Sequence, residues 1–153
     1  MAVTASGLFI ATFRDVLDTT QLAIDLDLET HKIALFDDTI TPNFSTDTAY
    51  AVAPYDAGEE DGTGYTAGGA ALTGTTFTEA ITGSLVFDAD DSSWTTSTFT
   101  DVIAGLIYAD VLAGNNAIAL IDFETAASTV AGTFLVTWTA AASGGVWAWD
   151  LTP

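Results

Sequence analysis

The chain has 153 residues, with 21 acidic side chains against two basic ones, a formal net charge of -19 and a pI near 4.1. Arg14 and Lys32 cannot build the basic surface that displaces counterions from phosphates, so nucleic acid is excluded as a partner, and an anionic membrane surface with it. Hydrophobic residues at 49% and a mean hydropathy of +0.39 set the chain apart from acidic disordered segments. They predict one compact domain over residues 1–153.

The opening stretch Met-Ala-Val-Thr-Ala-Ser-Gly has no basic run, and Arg14 and Asp15 interrupt the apolar residues after it, so no signal peptide is expected. No apolar run approaches the ~20 residues of a membrane-spanning helix. A soluble protein made in the cytoplasm is the expectation. With no cysteine, the chain has no thiolate nucleophile, disulfide or Cys-ligated metal.

The first predicted element is a helix over about residues 7–18, where Leu8, Phe9, Phe13, Val16 and Leu17 fall near a 3.6-residue period and Ser6 is placed to cap it. From Gln21 the period changes to two: Leu22, Ile24, Leu26 and Leu28 alternate with Asp25, Asp27 and Glu29. This predicts a strand that turns at Glu29-Thr30 into the apolar run His31–Phe36. Pro42 and Asn43 mark residues 37–45 as loop. Residues 46–69 predict a long surface loop, with Pro54, the acidic cluster Glu59-Glu60-Asp61 and a glycine-punctuated stretch from Gly62 to Gly69. Beyond it, short β-prone runs fall at 70–77, 83–87, 93–98, 102–108, 117–123, 133–139 and 146–151. Their spacing predicts a mainly β, single-domain sandwich or barrel-like fold with one N-terminal helix.

Few residues point to chemistry. His31 stands at the start of an apolar run with no serine elbow to serve, so a core role is expected rather than a catalytic one. One histidine without cysteine does not make a zinc site. Asp88, Asp90 and Asp91 have the hard oxygens that suit calcium, but the EF-hand pattern is absent, and turn residues holding backbone N–H groups are expected instead. Glu59-Glu60-Asp61 is read as a solvated loop tip. Acid pairs for glycoside hydrolysis are too easily found among so many carboxylates to be specific. The Gly62–Gly69 stretch lacks the later glycine of a dinucleotide loop and the lysine of a phosphate loop, and predicts turns with positive φ. No enzyme, cofactor or metal is expected.

The aromatic residues near the end of the chain are the interface candidates. Trp147 and Trp149, two apart in one predicted strand, face the same side. Packing in the core is the default for them and for Trp138, and tryptophan is also enriched on partner surfaces. Tyr65, Trp147, Trp149 and Leu151 are therefore carried forward as the possible interface. The closing Trp149–Pro153 segment has no charged tail, which suits docking on its own sheet or on a neighbour.

Read in order, Asp25–Leu35, Thr41-Pro42-Asn43, Gly62–Gly69, Val86–Asp91 with Trp94, Gly105–Tyr108, Leu120–Phe123, Thr137-Trp138 and Gly144-Gly145-Val146 resemble a family of small β-rich tailed-bacteriophage virion proteins. The most specific pieces are Gly64-Tyr65-Thr66-Ala67-Gly68-Gly69 and Phe87-Asp88-Ala89-Asp90-Asp91 followed by Trp94. The resemblance fails at Ala109-Asp110, where Lys-Asp-Thr-Gly would be familiar. It implies a capsid decoration (cement) protein that binds the outer face of the major capsid protein as a homo-oligomer, with a trimer possible, located on the virion surface after assembly in the host cytoplasm. A tail or head-fibre component is the alternative within the virion. A sugar-binding adhesion module, with Tyr65, Trp147 or Trp149 stacking on sugar rings, is the alternative outside it.

Overall fold

The computed structural model describes residues 3–152; Met1 and Ala2 of the opening stretch and Pro153 of the closing one lie outside the described residues. Strand makes up 43% of the chain and helix 7%, which places it in the mainly β class. The elements are β1 (Gly7–Leu8), α1 (Ile10–Leu17), β2 (Lys32–Phe36), β3 (Ala70–Ala71), β4 (Thr76–Ile81), β5 (Ser84–Asp88), β6 (Ser92–Tyr108), β7 (Ala117–Val136), a 3₁₀ turn at Ala141–Ser143, and β8 (Trp147–Asp150). They form an antiparallel five-stranded sheet in the order β1-β7-β6-β2-β3 and a three-stranded sheet in the order β4-β5-β8.

The five-stranded sheet is buried on both faces. Alternation along β2 sends Ile33 and Leu35 to one side, with Val102 and Ile107 of β6 and Phe87 of β5, so this core lies between the two sheets. Ala34 and Phe36 face the other side, where Phe9, Ile40, Tyr55, Leu106 and Tyr108 form a second core. Among the described residues no strand covers that second face. The covering layer is the N-terminal segment together with the long loop, whose Ala49 and Tyr55 are buried against the sheet. Burial on both faces explains why residues 31–36 read as a continuous apolar run rather than an alternating one.

Several sequence expectations need correction. The helix is shorter than residues 7–18: Gly7 and Leu8 pair with Leu120 and Ala119 as a strand, and the helix cap is Phe9, without a side-chain hydrogen bond. Ser6 does not cap it; its hydroxyl accepts the Asp122 N–H at 2.9 Å instead. Residues 22–28 form no strand, and there is no hairpin at Glu29-Thr30. Leu22, Ile24 and Leu26 do turn inward between exposed neighbours, but the segment ends in an Asx turn, in which Asp25 Oδ1 accepts the N–H groups of Asp27 (3.4 Å) and Leu28 (3.2 Å), while Asp25 N–H donates to Glu29 Oε2 at 3.0 Å. The run at 70–77 divides between β3 and β4. The predicted pairs 93–98 with 102–108, and 117–123 with 133–139, are each a single long strand, β6 and β7. Shifts of register interrupt their ladder, and Thr96, Asp101, Glu124 and Ala131 adopt positive φ values of 47–61° there. Each is the mark of a β-bulge, which breaks the two-residue period a reader of the sequence follows.

Candidate functional site

The glycine-rich loop forms the most organised polar cluster in the molecule. Tyr65 donates its hydroxyl to Glu59 Oε1 at 2.8 Å and accepts the Leu35 N–H of β2 at 2.9 Å. Gly68 N–H donates to the same Glu59 oxygen at 2.7 Å, and the Tyr50 hydroxyl donates to Oε2 at 2.8 Å. Tyr108 of β6 donates to Gly68 O at 2.8 Å and stacks on Tyr50, with centroids 4.4 Å apart. One carboxylate thus ties together Tyr65, which packs on the core between the sheets, and Tyr50 and Gly68, which lie with Tyr108 on the side of the second face. Burial and the neighbouring Glu59 push the Tyr50 phenol up to about 12, and burial chiefly raises Tyr55, Tyr65 and Tyr108 as well. These phenols act as hydrogen-bond donors, not as acids. Glu60 is also engaged, accepting Gly62 N–H at 2.7 Å and Thr100 N–H at 3.3 Å. The expectation of a solvated tip at 59–61 is therefore wrong for Glu59 and Glu60, and Asp61 alone is exposed.

The interface candidates are not gathered in one place. Tyr65 is fixed in the loop cluster, its ring stacked near Trp94 and edge-on to Phe99. Trp147 stacks on Phe87 at 4.3 Å, and Trp149 lies edge-on to both Phe13 and Phe77. The two tryptophans share one side of β8, as their spacing requires, and both are half-buried. Leu151, just beyond β8, is exposed, while its N–H donates to Gly83 O at 2.9 Å. Trp149 also lines an apolar groove of about 360 Å³ with Phe13, Leu17, Ile24 and Phe77. Sequence patterning could not foresee this groove, because it needs α1 and the 24–27 turn to meet across the end of the small sheet.

Asp88, Asp90 and Asp91 lie where β5 turns into β6. Asp91 Oδ1 accepts the Trp138 N–H at 3.0 Å, and Asp90 pairs with Thr73 through both its backbone and its side chain. Asp88 Oδ1 is buried without a hydrogen-bond partner. Among the described residues no group of three or more His, Asp or Glu side chains is arranged to hold a metal ion, and no helix is long and apolar enough to cross a membrane. No protein-family model, curated protein or solved structure matches the chain.

His31 is completely buried. Its Nε2 meets Asp25 O at 3.0 Å, which requires the proton there, and Nδ1 has no partner. Burial holds its pKa below the ordinary histidine value, against smaller opposite pulls from the Asp25 carbonyl and the Glu29 and Asp25 carboxylates. The unfolded chain therefore binds a proton that the folded chain resists, so stability falls as pH drops through about 6.5 and the loss levels off below the lowered folded value. The stability gap between the wild type and His31→Gln, followed by urea unfolding from neutral pH downward, is expected to narrow in that window. A gap that stayed constant would show that the ring is not held neutral.

Proposed function

We propose that the protein is a non-enzymatic component of a tailed-bacteriophage virion that sits on the outer face of the major capsid protein and reinforces the shell. The observation that carries this reading is the use made of the residues behind the resemblance. Tyr65, Gly68, Phe87, Trp94, Leu106, Tyr108 and Leu120 build the interior or fasten the covering loop, so the shared pattern is the pattern of a scaffold. The charge distribution supports it. Arg14 lies 3.4 Å from Asp15 and Lys32 lies 3.0 Å from Asp110, so both basic side chains already face carboxylates of their own chain. Attachment then draws on apolar contacts or on basic groups of the partner. The groove beside Trp149, with the exposed Leu17 at its lip, offers the apolar kind.

A decoration protein raises the work needed to separate the lattice, because its own contacts must break as well. Shells prepared without this protein should release DNA at lower temperature and milder osmotic shock than complete particles, and adding the purified protein should restore their resistance. Equal resistance with and without it would overturn the cement role. Binding that persists in strong salt would assign the attachment to the apolar groove, and loss of binding in salt would assign it to basic groups on the capsid.

A further inference from the structure

From Thr125 to Trp149 not one residue has an ionisable side chain, although the whole chain carries a net charge of -19. This stretch comprises the distal part of β7, the 3₁₀ turn and most of β8. One edge of β7 pairs with β6 throughout; the other pairs with β1 at Ala119 and Leu120, and beyond Asp122 no strand among the described residues is registered against it. Val130 is 85% exposed and Leu135 54% exposed along this part of the strand. Beside them runs a groove of about 430 Å³ lined by Ile121, Phe123, Phe134, Trp138 and Val146. The nearest acids on the β6 side are engaged, Asp91 with Trp138 N–H and Asp101 with the Ser128 hydroxyl.

Soluble β proteins guard free edges with lysine, proline or inward-pointing charge. From Thr125 to Val136 this edge has none of them. Its protection is confined to breaks in the ladder, between Asp122 and Ala127, where five residues of β7 stand opposite two of β6, and at Ala131, which leave Ala127–Thr129 and Gly132–Val136 as the two uninterrupted runs. Charge decides the occupant. A basic partner gains nothing from an uncharged strip and would be drawn to the acidic loops, where Asp37, Glu59, Glu60, Asp61 and Asp101 surround one cavity. Two copies of this chain, by contrast, repel one another everywhere except at such a strip. An antiparallel strand edge is also complementary to itself about a two-fold axis.

We propose that the outer edge of β7, over Thr125–Val136, is a self-association surface that pairs with the same strand of a second copy and joins two five-stranded sheets into one. It goes beyond the capsid reading and does not depend on it: a dimer that fails to bind shells overturns that reading alone. Sedimentation of the full chain should show a dimer whose affinity rises as salt is raised to about 0.5 M, because salt screens the repulsion between the acidic bodies while leaving the strand contact intact. Val130→Glu should weaken it by at least about tenfold, whereas Val52→Glu, on the covering loop, should leave it unchanged. In the wild type, amide exchange across residues 125–136 should slow as protein concentration rises. A chain that stays monomeric at high concentration and high salt would overturn the proposal. So would an oligomer that Val130→Glu leaves intact without concentration-dependent protection of these amides.

Discussion

Replacing Gly69 with alanine is expected to cost about 4 kcal/mol or more of stability, enough to unfold a domain of ordinary stability. Gly69 has φ +75°, a conformation that side chains disfavour, and a Cβ at this position would lie 1.9 Å from Ile33 O and 2.7 Å from Ala34 Cα. Those atoms belong to β2, which is paired on both sides, with β6 and with β3, so they cannot retreat without disturbing the large sheet. Ala70 and Ala71 follow at once as β3, and the close approach of Gly69 lets the loop become a strand at that point. Gly132→Ala is the matched control: its Cβ would meet nothing nearer than 3.8 Å, and a change within about 1 kcal/mol is expected. Thermal or urea unfolding of the two variants checks the contrast. Equal stabilities would mean that the loop does not need its close contact with β2.

The second large effect is expected at Glu59. Removing the carboxylate with Glu59→Ala leaves the hydroxyls of Tyr50 and Tyr65 and the Gly68 N–H without their acceptor, at a cost of about 2–4 kcal/mol. Glu59→Gln should lose much less. Its amide oxygen can take the place of Oε1 and keep both Tyr65 and Gly68, while the Tyr50 hydroxyl turns to accept from the amide nitrogen. The pair separates hydrogen bonding from charge: urea unfolding should rank wild type, Gln and Ala in that order, with Gln near wild type. If Gln were as destabilised as Ala, the negative charge itself, rather than the acceptor atoms, would be holding the loop.

The same two sites show where the sequence was readable. Positive φ in the glycine-rich loop followed from composition alone, because only glycine adopts it freely, and Gly64, Gly68 and Gly69 all do. The unbroken apolar run of β2, the short β-prone runs of β5 and β8 and, apart from its start, the N-terminal helix were also visible, because each is set by residues adjacent in the chain. Three things were not. The alternation at 22–28 imitates a strand because Leu22, Ile24 and Leu26 do turn inward between exposed neighbours, but no strand pairs with them and Asp25 closes an Asx turn. The middle of β7 is a run of Ala, Ser and Thr with bulges at Glu124 and Ala131, so it has neither the composition nor the period of a strand, and only pairing with β6 makes it one. Glu59 belonged to an acidic triplet that looked solvated, and nothing local in the sequence signals that two tyrosine hydroxyls and a backbone amide converge on it. Of the candidate surface residues, Trp147 and Trp149 were correctly placed on one side of a strand. Their separate packing, on Phe87 and on Phe13 with Phe77, depends on contacts between distant segments.

The pairing of β1 with β7 sets the order in which the polypeptide can finish folding as it is made. Leu8 finds its partner in Ala119, and Phe9, fully enclosed in the finished protein, donates its N–H to Ile118 O at 3.0 Å. At ribosomal speeds of about 5–20 residues per second, those partners leave the exit tunnel roughly 5–20 s after the segment that needs them. Throughout that interval β1 has no strand to pair with and the Phe9 N–H lacks its acceptor. This early segment is therefore among the last to be enclosed, and the repulsion between the many carboxylates of neighbouring copies opposes their association in the meantime.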